Sequence, residues 1–131
     1  MMRRCFFVLL FSALGGLCAH SPVPLTMAQV EAILGKSGVY VFDVNTPELW
    51  ERAHLPGAIF VDQPDLRKFL PRDKKATLVF YCANRICTGG SAAAQEALRL
   101  GYRNAFVMPE GIFGWVGSGR PTERGRASPS R

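Results

Sequence analysis

Two cysteines, Cys82 and Cys87, lie five positions apart in the stretch LVFYCANRICTGGS. The residues before Cys82 are branched or aromatic, which predicts a buried strand ending at the thiol, and a glycine-bearing loop then leads into the helical pattern AAAQEALRL. The carboxyl edge of an open α/β sheet faces a crevice and the amides of the next helix, where a thiolate is stabilised. Cys82 is therefore predicted as a nucleophile. The alternative is a small apolar residue that closes the strand.

The second cysteine leaves several chemistries open. Cys82 and Cys87 form a disulfide, stay apart as reactive thiols, or bind metal. Two cysteines and one internal histidine, His54, are not a recognisable zinc ligand set, so we predict no metal and no cofactor. His54 either titrates near neutral pH or is a hydrogen-bonded structural residue. Asp43, at the end of a predicted strand, either orients the loop or pairs with nearby backbone.

The first 19 residues predict a signal peptide. A positively charged start precedes the apolar run Cys5 to Leu14, which is too short to span a membrane, and Ala19 is the small residue that cleavage requires. Cys18 is a candidate for lipidation, but the leucine before it does not fit a lipoprotein box; an uncleaved anchor is a third option. We expect an exported protein, periplasmic if bacterial, with membrane contact only through this N-terminus.

The chain's net charge of +6 comes mainly from its two ends. Arg3 and Arg4 belong to the predicted signal peptide, and residues 120–131 hold four arginines against one glutamate. The remainder is close to neutral, which excludes a basic nucleic-acid surface. Residues 120–131 are polar and rich in proline and serine, so they predict a disordered tail. Residues 20–25 are expected to be a linker, and residues 26–119 a single domain.

Strands and helices are predicted to alternate along this domain. The expected strands are at residues 39–45, 58–61, 77–81 and 104–109, and the expected helices at residues 26–34, 46–52, 64–69 and 91–100. Ser91 is the predicted N-cap of the last of these helices. A final short helical turn is expected to pack Phe113 and Trp115 onto the sheet. This alternation predicts an α/β domain with a mainly parallel central sheet flanked by helices.

Several separated motifs resemble one family in the same order. They are FDVNTPELWERAHLPGA, the FYC before the loop, an alanine-rich helix ending in GY, NAFVMPEGIFGW and GRPTE. From about Met27 to Thr122 the chain resembles a single rhodanese-like domain. The resemblance implies a small three-layer fold and a sulfurtransferase in which Cys82 carries sulfane sulfur as a persulfide. Its partners would be a small sulfur donor such as thiosulfate, a thiol acceptor and, in some contexts, a partner protein, and we expect a monomer.

By position, the resemblance implies a substrate-binding loop made of Ala83, Asn84, Arg85, Ile86, Thr88, Gly89 and Gly90. The loop departs from the family pattern because Cys87 stands where an arginine is usual. Asn45 likewise replaces the arginine normally found two positions after the acidic residue Asp43. Losing both arginines weakens recognition of thiosulfate, a dianion. It also argues against an arginine-dependent phosphatase.

The two cysteines suggest a sharper hypothesis than the family pattern alone. If a persulfide or sulfenate forms on Cys82, Cys87 attacks it, releases the outer atom and leaves a disulfide that a reductant resets. The alternative is that Cys87 only packs within the loop. Two further functions remain open: a non-catalytic rhodanese fold that binds an anion or a partner through the loop, and a thiol-disulfide redox module that uses both cysteines.

Overall fold

The computed structural model describes residues 21–126, so the predicted signal peptide and the last five residues lie outside the described residues. Five strands form one sheet: β1 (Val23–Pro24), β2 (Val39–Asp43), β3 (Ile59–Phe60), β4 (Thr77–Tyr81) and β5 (Asn104–Val107). Four helices accompany it: α1 (Met27–Ile33), α2 (Pro47–Arg52), α3 (Gly89–Arg99) and α4 (Gly111–Gly117), with a short 3-10 turn at Leu66–Lys68. The strand order is β1-β5-β4-β2-β3, and every pairing is parallel.

Strand β4 is the centre of the sheet and ends directly before Cys82. It pairs along its whole length with β2, from Val39 opposite Thr77 to Asp43 opposite Tyr81. Parallel strands that are buried on both faces have near-continuous apolar sequences, as β4 does. The strand that carries the thiol is therefore the most enclosed element of the sheet.

Alternate residues of the central strands supply two apolar layers, one on each face of the sheet. On one face, Phe42 and Phe80 stack with ring centres 4.9 Å apart and pack with the buried alanines of α3. On the other face, Val79 and Tyr81 pack with Val30 of α1 and with the buried residues of α4. The predicted α/β fold, a mainly parallel sheet between two layers of helices, is confirmed.

Local capping signals place the first two helices. The Thr26 hydroxyl accepts from the Gln29 amide at 3.1 Å, and the Gln29 side chain accepts from the Thr26 amide at 2.8 Å, which completes a capping box. Thr46 caps α2, whose first residue is Pro47. Both starts agree with the sequence prediction because the signals are contained within four residues.

Helix α3 begins at Gly89, two residues before the predicted start, and its N-cap is Thr88 rather than Ser91. The reason is close packing against β4, since a methyl group on Gly90 would lie 3.3 Å from the Cα of Tyr81. Glycine suits this close approach, because a larger residue would require the strand or the helix to shift by a few tenths of an ångström. Gly89 and Gly90, predicted as part of the loop, are therefore the first turn of α3.

The ordered domain extends beyond both predicted ends. Strand β1 lies within the expected linker, because the backbone of Val23–Pro24 completes an edge of the sheet beside β5. At the other end, the Pro121 carbonyl accepts the Trp115 indole N–H at 2.8 Å, and the backbones of His54 and Glu123 exchange two hydrogen bonds. The first part of the predicted disordered tail is thus held by polar groups that need partners.

Within residues 21–126, no helix is long and apolar enough to cross a membrane.

Candidate active site

The backbone at Cys82 is fixed by the start of α4. The Ile112 amide donates to the Cys82 carbonyl at 2.9 Å, and the Phe113 amide donates to the Ala83 carbonyl at 3.0 Å. These are two of the amides that a helix start leaves without intrahelical partners. The thiol-bearing residue, only 8% exposed, is therefore held by backbone contacts to a second element.

The Cys82 and Cys87 sulfurs are joined in a disulfide, with the two Cα atoms 6.1 Å apart. Asn84 turns the chain back between them. Its side-chain oxygen accepts the amides of Ile86 at 3.0 Å and Cys87 at 3.2 Å. Of the three chemistries that the sequence left open, the structure contains the disulfide. The contribution of Asn84 was not predicted, although an asparagine that bonds to the backbone two residues later is a common turn signal.

Both sulfurs lie beside the first turn of α3. A methyl group on Gly89 would be 3.5 Å from the Cys82 sulfur and 3.6 Å from the Cys87 sulfur. Among the described residues, the amides of Gly89, Gly90 and Ser91 have no hydrogen-bond partner. Such amides at a helix start stabilise nearby negative charge.

The single cation of the loop, Arg85, is already paired. Its guanidinium lies 2.6 Å from a carboxylate oxygen of Glu110, the residue that precedes α4. The Arg85 side chain is 70% exposed and that of Glu110 only 21%. The pair neutralises the charge that a donor anion would otherwise meet. The cation is evident in the sequence, but its partner lies 25 positions along the chain and is not.

Asp43 lies at the end of β2, beside the residue that precedes Cys82, and it is fully buried. One carboxylate oxygen accepts the Asn45 amide at 2.8 Å, and the other has no hydrogen-bond partner. Burial raises the pKa of Asp43, while the Tyr81 hydroxyl, the Asn45 groups and His54 act in the opposite direction. No arginine among residues 21–126 pairs with Asp43, so within them the carboxyl is a buried polar group supported mainly by local backbone.

Tyr81 stands opposite Asp43 and points its hydroxyl into the same buried region. The hydroxyl oxygen accepts the Leu55 amide at 3.0 Å. Burial and the nearby Asp43 raise the pKa of Tyr81 above its ordinary value. Tyr81 therefore stays neutral and connects the end of β4 to the chain that follows α2.

His54 is buried, and its contacts hold the segment around Glu123 against α2. Its ring stacks on Trp50 with centres 3.5 Å apart, and its Nδ1 lies 2.8 Å from the Trp50 carbonyl. Its Nε2 lies 3.8 Å from a carboxylate oxygen of Glu123. None of its hydrogen bonds or ion pairs within residues 21–126 reaches the cysteine loop. These contacts are those of a hydrogen-bonded structural residue.

The surface around the disulfide carries exposed apolar side chains beside the exposed Arg85 and Thr88. Ile86, between the two cysteines, is 89% exposed. Phe113 was expected to pack on the sheet, but it is 52% exposed, because Ile112 and Trp115 take the buried positions of α4. Thr88, next to Cys87, is also exposed and makes no side-chain cap.

In the described part of the chain, no group of three histidine, cysteine or acidic residues is placed to hold a metal ion.

The fold and the site together define a class of protein, a small α/β domain with a thiol at the carboxyl end of its central strand. The family model of the Rhodanese-like domain matches residues 26–118. The chain therefore belongs to the rhodanese-like domain family. No match to it is found among curated proteins.

Solved structures share this fold. The BH2092 protein from Bacillus halodurans is 26% identical, with 78% of this chain and 77% of that chain covered and a TM-score of 0.67. Thiosulfate sulfurtransferase from Pseudomonas aeruginosa is 22% identical, with 86% and 25% covered and a TM-score of 0.69. A Rhodopseudomonas palustris protein described as a possible tyrosine phosphatase is 24% identical, with 78% and 85% covered and a TM-score of 0.66. At these last two identities the likeness concerns the fold.

Proposed function

We propose that this protein is an exported rhodanese-like sulfurtransferase in which Cys82 carries sulfane sulfur and Cys87 resolves the resulting persulfide. The observation that carries the proposal is the disulfide between the two cysteines, beside the unpaired amides at the start of α3. The disulfide shows that the Cys87 sulfur reaches the Cys82 sulfur, which is the proposed carrier of the persulfide. Export is supported by the predicted signal peptide at residues 1–19.

The proposed reaction has two covalent steps. The Cys82 thiolate attacks the outer sulfur of a donor, and the donor's remaining part leaves with the electron pair of the broken bond. The Cys87 thiolate then attacks the inner sulfur of the persulfide, and the outer sulfur departs as hydrosulfide while the disulfide forms. A thiol acceptor that takes the outer sulfur before Cys87 reacts would instead return Cys82 directly to the thiolate.

The charge of the loop supports a particular class of donor. Because Arg85 is paired with Glu110, a small dianion such as thiosulfate meets no free cation of the loop. A donor whose sulfane sulfur is bound to an organic thiol carries less charge at the reacting atoms and does not need one. We therefore propose a thiol persulfide as the preferred donor.

Intact mass spectrometry of the reduced protein tests this function. After incubation with glutathione persulfide, Cys87→Ser is expected to gain one sulfur atom and keep it, because the resolving thiol is missing. Wild type is expected to lose two hydrogen atoms, and Cys82→Ser to show neither stable persulfide nor internal disulfide. A Cys87→Ser protein that never gains sulfur would contradict the proposal.

A thiol-disulfide redox module is the second candidate, favoured by the same disulfide. In that case wild type loses two hydrogens with any mild oxidant, and neither single-cysteine variant holds an added sulfur atom. A non-catalytic binding domain would show no mass change at all with a sulfur donor. The one experiment therefore separates three classes of function.

A further inference from the structure

We propose that a protein dithiol resets the disulfide by docking on an apolar rim made of Ile86, Phe113 and Val116 and attacking the sulfur of Cys87. The proposal deepens the proposed function by naming the partner of its resetting step. It rests on that function only for how the disulfide arises.

The apolar rim is held around the disulfide by backbone contacts. Ile86 is carried by the loop that the disulfide closes, and the Phe113 amide bonds to the Ala83 carbonyl of the same loop at 3.0 Å. Val116 follows Phe113 by one helical turn, on the same side of α4. Of the five large hydrophobic residues that are exposed in the described chain, Ile86 lies in the loop, and Phe113 and Val116 lie on the helix whose start is bonded to the loop. Exposed apolar groups gathered in one place mark an interaction surface.

The charge of this surface favours an apolar partner over a small anion. The loop from Cys82 to Thr88 and helix α4 contain a single charged residue, Arg85, and Glu110 neutralises it. A small charged reductant would gain no ion pair there. A protein whose thiols are surrounded by uncharged, apolar residues would bury the apolar rim and gain free energy from that burial.

The exposure of the two sulfur-bearing residues decides which sulfur is attacked. Cys82 is 8% exposed, whereas Cys87 is only partly buried. The first partner thiolate therefore bonds to the Cys87 sulfur. The disulfide bond breaks, and its electron pair leaves with Cys82 as a thiolate beside the free amides of α3, which stabilise it as a leaving group.

The second partner thiolate completes the cycle. It attacks the partner's own sulfur in the mixed disulfide, and the electron pair of the broken bond leaves with Cys87, which takes up a proton. The partner becomes a disulfide, and this protein regains two thiols. Two electrons pass from the partner to the loop, so the step is balanced.

Reduction kinetics of the disulfide form of the full domain test the apolar rim. The protein probe is reduced thioredoxin, and dithiothreitol is the small dithiol for comparison. Ile86→Asn and Phe113→Ser are each expected to lower the thioredoxin rate constant about fivefold, the scale of losing a good interface contact of about 1 kcal/mol. Phe113→Ser, which lies outside the loop, should react with dithiothreitol at the wild-type rate.

Val23→Ser is the matched control, because Val23 is also exposed, at 58%, but lies on the edge strand β1. It should change neither rate. Rim variants that keep the wild-type thioredoxin rate overturn the docking surface. So does a wild-type disulfide that thioredoxin reduces no faster than dithiothreitol does at equal concentration.

Trapping identifies the attacked sulfur. A thioredoxin variant that keeps only its attacking cysteine stops at the mixed disulfide, and peptide mapping is expected to find the bond on Cys87. A bond on Cys82 overturns the proposed direction of attack. Persulfide formation in Cys87→Ser uses neither the rim nor a reductant, so failure of this proposal and failure of the sulfurtransferase function are separate results.

Discussion

Gly111 lies directly against the carbonyl group of Cys82. A methyl group on Gly111 would be 2.5 Å from that oxygen and 2.5 Å from the carbonyl carbon of Ala83. The backbone of Gly111 also has a φ of +62°, a conformation that disfavours any side chain. The close approach lets the next two amides of α4 reach the carbonyls of Cys82 and of the residue after it.

Gly111→Ala is therefore expected to destabilise the protein strongly. The clash is with backbone, which cannot rotate away, so we expect a loss of about 2–4 kcal/mol from overpacking and left-handed strain together. Gly117→Ala is the matched control in the same helix, since a methyl group there meets nothing within 4 Å. It should be neutral or slightly stabilising. Urea unfolding of both variants measures the difference, and equal stabilities would contradict the assigned packing.

Glu110→Gln is expected to improve the use of thiosulfate. Removing the carboxylate charge frees the Arg85 guanidinium for a donor anion, so KM should fall about two- to fivefold at low salt, as expected for a partly exposed charge. The effect should shrink at high ionic strength because salt screens exposed charges. Steady-state sulfurtransferase assays at two salt concentrations measure it.

Glu96→Gln provides the control for that measurement. Glu96 pairs with Arg99, whose side chain is 70% exposed like that of Arg85, but this pair lies on α3. The variant should leave the KM for thiosulfate unchanged. A KM that falls equally in both variants would show a general charge effect and not release of Arg85.

Asp43→Asn is expected to become more stable relative to wild type as pH rises. Burial raises the folded-state pKa of Asp43 above its usual 3.8, so the native state holds the proton more tightly than the unfolded chain. The stability from that proton is present below the unfolded pKa and is lost as pH rises through the folded pKa. The amide oxygen of asparagine can still accept the Asn45 amide.

Urea unfolding at about pH 4 and about pH 7 checks this linkage. The free energy of unfolding of Asp43→Asn minus that of wild type should be larger at the higher pH. A difference that is the same at both values, or larger at the lower one, would mean that Asp43 is not a buried acid with a raised pKa.

Tyr81→Phe is expected to cost about 1–3 kcal/mol of stability, because the buried Leu55 amide loses its acceptor. Tyr40→Phe removes a hydroxyl from β2, at a residue that is 36% exposed. That control should change the free energy of unfolding by less than about 0.5 kcal/mol. If both variants lose the same amount, the hydrogen bond to Leu55 does not contribute.

Local signals explain what the sequence predicted correctly. Thr46 followed by Pro47 predicts the start of α2, and the branched run from Thr77 to Tyr81 predicts β4 at its observed bounds. In each case the signal and the element occupy the same few residues. The family-specific motifs likewise lead to the fold because they mark where elements meet.

The unpredicted features depend on contacts between distant parts of the chain. Strand β1 has two residues, and only its pairing with β5 makes it a strand. The pairing of Arg85 with Glu110 spans 25 positions, so no local pattern contains it. Phe113 belongs to an apolar segment whose composition cannot tell a buried ring from an exposed one. Its exposure follows from the way α4 turns Trp115 inward.

The hydrogen bond from Ile112 to the Cys82 carbonyl has a further consequence for how such a protein can change. The backbone of Cys82 is positioned by its hydrogen bond to α4 and by its place at the end of β4, and neither contact uses a side chain of residues 83–88. Substitutions of side chains in residues 83–88 therefore leave this backbone contact in place. Sequence changes in this loop can therefore alter its surface and charge while the backbone of Cys82 keeps its position.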